Sequence, residues 1–201
     1  MKILLLGKNG QLGWELQRSL APLGELVALD RHSTDHCGDF SDLAGLAATV
    51  RALRPDVIVI DTESPTRDVL EHLVIVSQSS PRPIVMFSTD SGGEAIRGAV
   101  RAGVSAYVVD GLDAARVNTI IEVACARFEQ FQNLKAELAE ANLKLSDRKL
   151  VERAKGLLMQ SRGLSEDEAY HALRKLAMAK KQRLGDVAQQ VIAAADLLGK
   201  A

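Results

Sequence analysis

Strands alternating with helices over residues 1–124, then helical periodicity to the end of the chain, predict an α/β fold with a helical tail. Three observations carry this expectation. Val57-Ile58-Val59-Ile60 is a run of four apolar residues rich in β-branching and without polar alternation, as in a parallel strand buried on both faces. Similar runs, each followed by a helical pattern, flank it on both sides. Beyond residue 125, apolar residues recur at three- and four-residue spacing. The predicted architecture is a doubly wound parallel sheet of order 2-1-3-4-5 (residues 1–124), a coiled-coil linker helix (125–148) and a small three-helix domain (149–201).

In chain order, Ile3-Leu4-Leu5-Leu6 reads as the first strand, and Gly7-Lys8-Asn9-Gly10-Gln11-Leu12-Gly13 as a tight turn. A helix over Gln11–Leu20 places Leu12, Leu16 and Leu20 on one face. Leu26-Val27-Ala28-Leu29 forms a second strand ending at Asp30, and a short extra strand over Cys37–Phe40 is expected at the sheet edge. Arg54-Pro55 opens the central strand, and Asp61 closes it at the carboxyl end, where open α/β sheets gather ligands. A helix over Pro65–Ser77 turns Val69, Leu70, Leu73 and Val76 inward. Strand Pro83–Ser88, helix Gly93–Ala102, strand Ala106–Val109 and a helix starting near Asp113 complete the alternation.

Phe131, Leu134, Leu138, Ala141 and Leu145 follow 3-4-3-4 spacing, flanked by Lys135, Glu137, Glu140 and Lys144, and predict a parallel homodimeric coiled coil. Phe128–Leu150 would run about 34 Å as helix. Three amphipathic pieces follow. Lys149–Gln160 ends before Gly163; Ser165-x-x-Glu168 is a capping box opening the second; the third begins near Arg183.

Composition narrows the function. Between Arg148 and Arg183 stand ten Lys/Arg against four Asp/Glu, a local +6 in a chain of net charge −1. An acidic body with a basic end is an electrostatic footprint for a polyanion. At 3% aromatics, recognition through an aromatic stacking platform is not expected. Cys37 and Cys125 are isolated thiols without metal-type spacing, and the four histidines form no ligand cluster, so no metal site and a reduced, cytoplasmic setting are expected. No segment is apolar for long enough to cross a bilayer.

Gly7-x-x-Gly10-Gln11-x-Gly13-Trp14-Glu15-Leu16, Ala28-Leu29-Asp30, Cys37-Gly38-Asp39-Phe40-Ser41 and Leu53-Arg54-Pro55-Asp56-Val57-Ile58-Val59 together resemble the start of the dTDP-4-dehydrorhamnose reductases, of the extended short-chain dehydrogenase class. The resemblance covers about the first sixty residues and implies NAD(P) at Gly7, Gly10, Gln11, Gly13 and Asp30, with no cofactor required for the tail. Reductase activity is not expected. The family's Tyr-x-x-x-Lys is missing, because Tyr107 is followed four places on by Gly111 and Tyr170 by Arg174.

From Asp61 onward, Asp61-Thr62-Glu63-Ser64-Pro65, Pro81-Arg82-Pro83-Ile84-Val85-Met86-Phe87 and Ala99-Val100-Arg101-Ala102-Gly103-Val104-Ser105-Ala106-Tyr107 resemble the receiver of nitrate-type antiterminator response regulators. That places Asp61 at the phosphoacceptor position. Gly7-Lys8-Asn9-Gly10 stands where Mg²⁺-holding acids belong, and Asp110 near where a phosphate-binding lysine belongs. Asp61 is therefore read as a structural acid, and the domain as a scaffold or a docking site for a sensor protein.

Leu150-Val151-Glu152-Arg153-Ala154-Lys155-Gly156-Leu157-Leu158-Met159, Gly163-Leu164-Ser165-Glu166-Asp167-Glu168-Ala169-Tyr170 and Arg183-Leu184-x-Asp186-Val187-Ala188 resemble the ANTAR module. The resemblance implies a non-enzymatic transcription antiterminator that binds tandem stem-loops in leader RNA. Lys149, Arg153, Lys155, Arg162, Arg174, Lys175 and Arg183 are expected to line the RNA face, with Lys180 and Lys181 beside them. The chain thus reads as a hybrid whose halves meet near residues 54–60, a strand text that both families share. Two alternatives stay open: an NAD(P)-binding Rossmann-like sensor, and a recombinant scaffold without function.

Overall fold

The computed structural model describes residues 1–109 and 114–198. Asp110 and Asp113, invoked above, lie outside the described residues. The chain divides into two compact units, Met1–Phe131 and Gln132–Ala201.

The first unit is built on five parallel strands: β1 (Lys2–Leu6), β2 (Glu25–Leu29), β3 (Val57–Thr62), β4 (Ile84–Ser88) and β5 (Ala106–Val109). Their order, β2-β1-β3-β4-β5, is the predicted one, with β3 central. Register pairs Leu4 with Ile58 and Ile58 with Ile84, so the apolar runs stack across the sheet. The period-two geometry of strands divides them between two faces. Leu4, Leu6, Ile58, Ile60, Ile84 and Met86 pack with helices α2 (Leu43–Leu53), α3 (Arg67–Ser79) and α4 (Gly93–Arg101). Ile3, Leu5, Val57, Val59, Val85 and Phe87 pack against α1 (Gly13–Leu20) and the start of α5 (Ala114–Arg162), through Leu16, Leu20, Val117, Ile121 and Ala124. Both faces of β3 are covered, which is why its text shows no alternation.

Three local expectations change. The first helix begins at Gly13 rather than Gln11, because residues 10–12 form a turn closed by the Gly13 amide on the Gly10 carbonyl, with the Leu12 amide donating to Asp61 of β3. No strand forms over Cys37–Phe40. There the Asp39 carboxylate accepts from both the amide and the hydroxyl of Ser41 at 2.8 Å, a local turn that competes with strand pairing. Helix α2, not foreseen from the sequence, supplies the crossover that parallel pairing of β1 with β3 needs. Asp42 caps it by accepting from the Gly45 amide, and Arg54 ends it in a left-handed conformation just before Pro55.

The second unit contains the rest of α5, α6 (Glu166–Lys180) and α7 (Leu184–Leu198). The piece expected over Lys149–Gln160 is not separate. It is the end of α5, which runs without a break through residues 148–149 because helical periodicity is the same on both sides of that point. Val151, Ala154, Leu173, Ala177, Val187, Ala188 and Ile192 form its core. The capping box is present: Ser165 accepts from the Glu168 amide while Glu168 accepts from the Ser165 amide at 2.9 Å. Among the described residues no helix is long and apolar enough to cross a membrane.

Candidate functional site

Three surfaces were marked by the sequence, and the first two are each built differently from expectation in one respect. The first is the glycine turn. Gly7 takes φ +94°, a conformation that L side chains rarely adopt, and a Cβ there would run into the Asp61 carbonyl oxygen. A Cβ on Gly10 would strike the Asp61 carboxylate itself. These close approaches let Asp61 reach across from the end of β3. Its Oδ2 accepts from the Leu12 amide at 3.0 Å, while the Gly13 amide donates to the Gly10 carbonyl at 3.2 Å. Asp61 is 7% exposed, and burial pushes its carboxyl above the usual range, with the bond from the Leu12 amide offsetting part of the shift.

Asp30, at the end of β2, accepts from the Asn9 side-chain amide, the His32 amide at 2.9 Å and the Ser33 hydroxyl at 3.1 Å. Burial raises its pKa, but those bonds to His32 and Ser33, with the charges of Lys8 and His32, hold it below the ordinary value overall. Beside the turn lies a depression of about 500 Å³ lined by Gly7, Asn9, Gly10, Asp30, His32 and Phe40 among others. Gln11 does not face it; its amide leans toward Glu63 at 3.5 Å. At the neighbouring strand ends Ser88 donates to the Glu63 carbonyl at 2.9 Å, Ser64 to Asp90 at 2.7 Å and Tyr107 to the Asp90 carbonyl at 2.8 Å. Among the described residues no group of three or more His, Cys, Asp or Glu side chains is placed to hold a metal ion.

The second surface is the basic face of the second unit. Expected as an RNA contact, Lys155 is instead 8% exposed. Its ammonium bonds Glu166 at 2.7 Å and Glu152 at 2.9 Å, and these bonds raise its pKa. It ties the end of α5 to the first turn of α6 and is not available on the outer face. Two other cations are partly engaged: Arg153 with Asp196 at 3.4 Å, and Arg183 with Asp147. Lys149, Arg162, Arg174 and Lys175 have no carboxylate at ion-pair distance among the described residues.

The α6 core stripe is Ala169, Leu173 and Ala177, and the other side of the helix is turned to solvent. There His171, Arg174, Lys175 and Met178 line a shallow depression of about 300 Å³. Tyr170 meets His171 edge to face, ring centroids 6.2 Å apart. Sequence reasoning passed over Tyr170, His171 and Met178 because aromatics are scarce. The signal was the spacing 171, 174, 175, 178, one stripe of a 3.6-residue helix.

The third surface is the seam on α5. Phe131, Leu134 and Leu138 are 61–63% exposed and Leu145 is 54% exposed. Apolar side chains in register and bare of cover mark an interaction surface.

Comparison with known proteins accounts for the two halves separately. The ANTAR domain family matches residues 139–192, and the RmlD substrate binding domain family matches residues 1–63. The dTDP-4-dehydrorhamnose reductase of Escherichia coli K12 is 70% identical over 59 residues, 29% of this chain, and the chain spans only about a fifth (20%) of that reductase's length. Transcriptional regulatory protein PdtaR of Mycobacterium tuberculosis H37Rv is 32% identical over 139 residues, 69% of this chain and 68% of PdtaR. Among solved structures, the signal receiver domain of a modulated diguanylate cyclase from Desulfovibrio desulfuricans G20 has a TM-score of 0.50 at 17% identity, covering 64% of this chain and 95% of that one. The fold of the first unit is therefore receiver-like, although its first strands carry reductase text.

Proposed function

The chain belongs to the ANTAR-domain response regulators that include PdtaR, and from that premise we propose that it acts as a dimeric transcription antiterminator binding tandem stem-loops in leader RNA. The observation that carries this reading is the solvent face of α6, where Arg174 and Lys175, without a carboxylate partner among the described residues, stand beside Tyr170, His171 and Met178. Cations without carboxylate partners are set to neutralise phosphates. An aromatic edge and a soft apolar side chain between them suit the unstacked bases of a loop, where sequence-specific RNA recognition is concentrated.

The exposed seam on α5 supports a parallel pair of helices, since Phe131, Leu134, Leu138, Ala141 and Leu145 need a second copy to bury them. A dimer would present two α6 faces, one for each hairpin. The mechanism is binding without chemistry. The receiver-like unit would serve as a scaffold and a docking site for a sensor protein, because Asp61 is turned into the fold rather than toward a phosphodonor.

Binding of a two-hairpin leader RNA across a salt series, with sedimentation of the same sample, tests the reading. The expected result is two protomers per two-hairpin RNA and an affinity that falls steeply with salt. A monomeric protein that ignores structured RNA in dilute buffer would end it.

A further inference from the structure

The acid that faces the reductase-like turn stands at the carboxyl end of β3, inside the reductase-family match over residues 1–63. The turn, Gly7–Gly13, lies within the reductase-family match, and a dinucleotide there would take its phosphates on the amides that open the helix. In this chain those amides are already used. Leu12 N–H donates to Asp61 Oδ2 at 3.0 Å, the Gly13 amide donates to the Gly10 carbonyl at 3.2 Å, and a Cβ on Gly10 would strike the Asp61 carboxylate. The acid is 7% exposed, so water does not separate it from the Leu12 donor. At the other end of the depression, the Asp30 carboxylate that would meet a ribose hydroxyl is held by Asn9, His32 and Ser33. NAD(P) therefore does not fit the turn as it stands. Its pyrophosphate would have to displace a buried carboxylate of like charge from the positive end of a helix.

We infer that Asp61 is a resident anion, supplied by the end of β3, that fills the glycine turn and closes it to dinucleotides. The same contact takes Asp61 out of use as a phosphoacceptor. A carboxylate that is buried against the Gly10 backbone and accepts from the Leu12 amide offers little to an incoming phosphoryl group. The carboxyl pKa is raised by burial, as expected of an acid held inside the fold. The inference does not depend on RNA binding by the second unit.

Amide and side-chain NMR on the full chain tests it directly. Trp14 is a poor reporter, being 66% exposed and covered by Arg18 at 4.9 Å. As the pH is lowered, the Leu12 amide resonance is expected to move together with the Asp61 carboxyl resonance in one titration. Asp61→Ala should abolish that movement. If the variant does not fold, the wild-type carboxyl and amide titrations can still be compared with each other. At neutral pH, millimolar NADPH should leave the Leu12 and Gly13 amides of the wild type unmoved, and acetyl phosphate with Mg²⁺ should not label Asp61. A Leu12 amide that titrates independently of Asp61, NADPH that shifts either amide in the wild type, or a stable acyl phosphate on Asp61 would each overturn the assignment.

Discussion

Replacing Arg174 and Lys175 together by alanine isolates the electrostatic part of RNA binding. Of the seven basic side chains marked on the second unit, Lys155 is sealed between two glutamates, and Arg153 and Arg183 each hold an aspartate. Lys149, Arg162, Arg174 and Lys175 have no carboxylate partner among the described residues. If each neutralises one phosphate, at roughly 0.7 to 0.9 per contact, the slope of log affinity against log salt is about −3 per protomer. Affinity should then fall about 60-fold between roughly 50 and 200 mM salt. The double variant leaves two contacts, so the slope should halve to about −1.5 and the fall shrink to about eightfold. Fluorescence anisotropy of a labelled two-hairpin RNA, repeated over the salt series, reads both quantities. The α6 core residues Ala169, Leu173 and Ala177 are untouched, so the melting curve should not move. An unchanged slope would remove this helix face from the RNA site.

Four further outcomes follow from the same geometry. Lys155→Met keeps the aliphatic stem but leaves Glu152 and Glu166 without their shared cation; thermal melts should show a less stable second unit, while the salt slope of RNA binding stays as in the wild type. Leu173→Ala opens a cavity among Val151, Ala154, Val187 and Ile192, and denaturant titration should show a loss of about 2–5 kcal/mol in that unit. Leu134→Asp with Leu138→Asp places charge on the α5 seam, and sedimentation should report monomers. Asp61→Asn bears on pH. A carboxyl whose pKa is raised by folding contributes stability below its unfolded pKa and loses it as pH rises through the folded value. The amide variant should therefore melt higher than the wild type at pH 7, and the difference should close as the pH falls through and below the ordinary carboxylate range.

The α/β core was legible because its signals are local. A strand covered on both faces shows as an apolar run, and Val57–Ile60 needs no knowledge of its neighbours to be read as one. The capping box at Ser165 and Glu168 is equally local, since all its groups lie within four residues. Strand order followed from the alternation of elements and the handedness of their crossovers. The sites were less legible. Lys155 sits among Arg153 and Lys149 in the text, and nothing there separates a cation that faces solvent from one that is walled in. The difference arises when Glu166, eleven residues on, swings against it through the α5–α6 turn.

By itself, then, the amino-acid sequence determined that this is a parallel α/β sheet joined to a helical ANTAR tail, because periodicity, caps and motifs act over a few residues. Tertiary structure alone decided which charged groups are spent inside the fold. Asp61 finds the Leu12 amide 49 residues away, and Arg183 finds Asp147 36 residues away. Hydrogen bonds and ion pairs depend on distances of a few ångströms, and those distances exist only once the chain has packed.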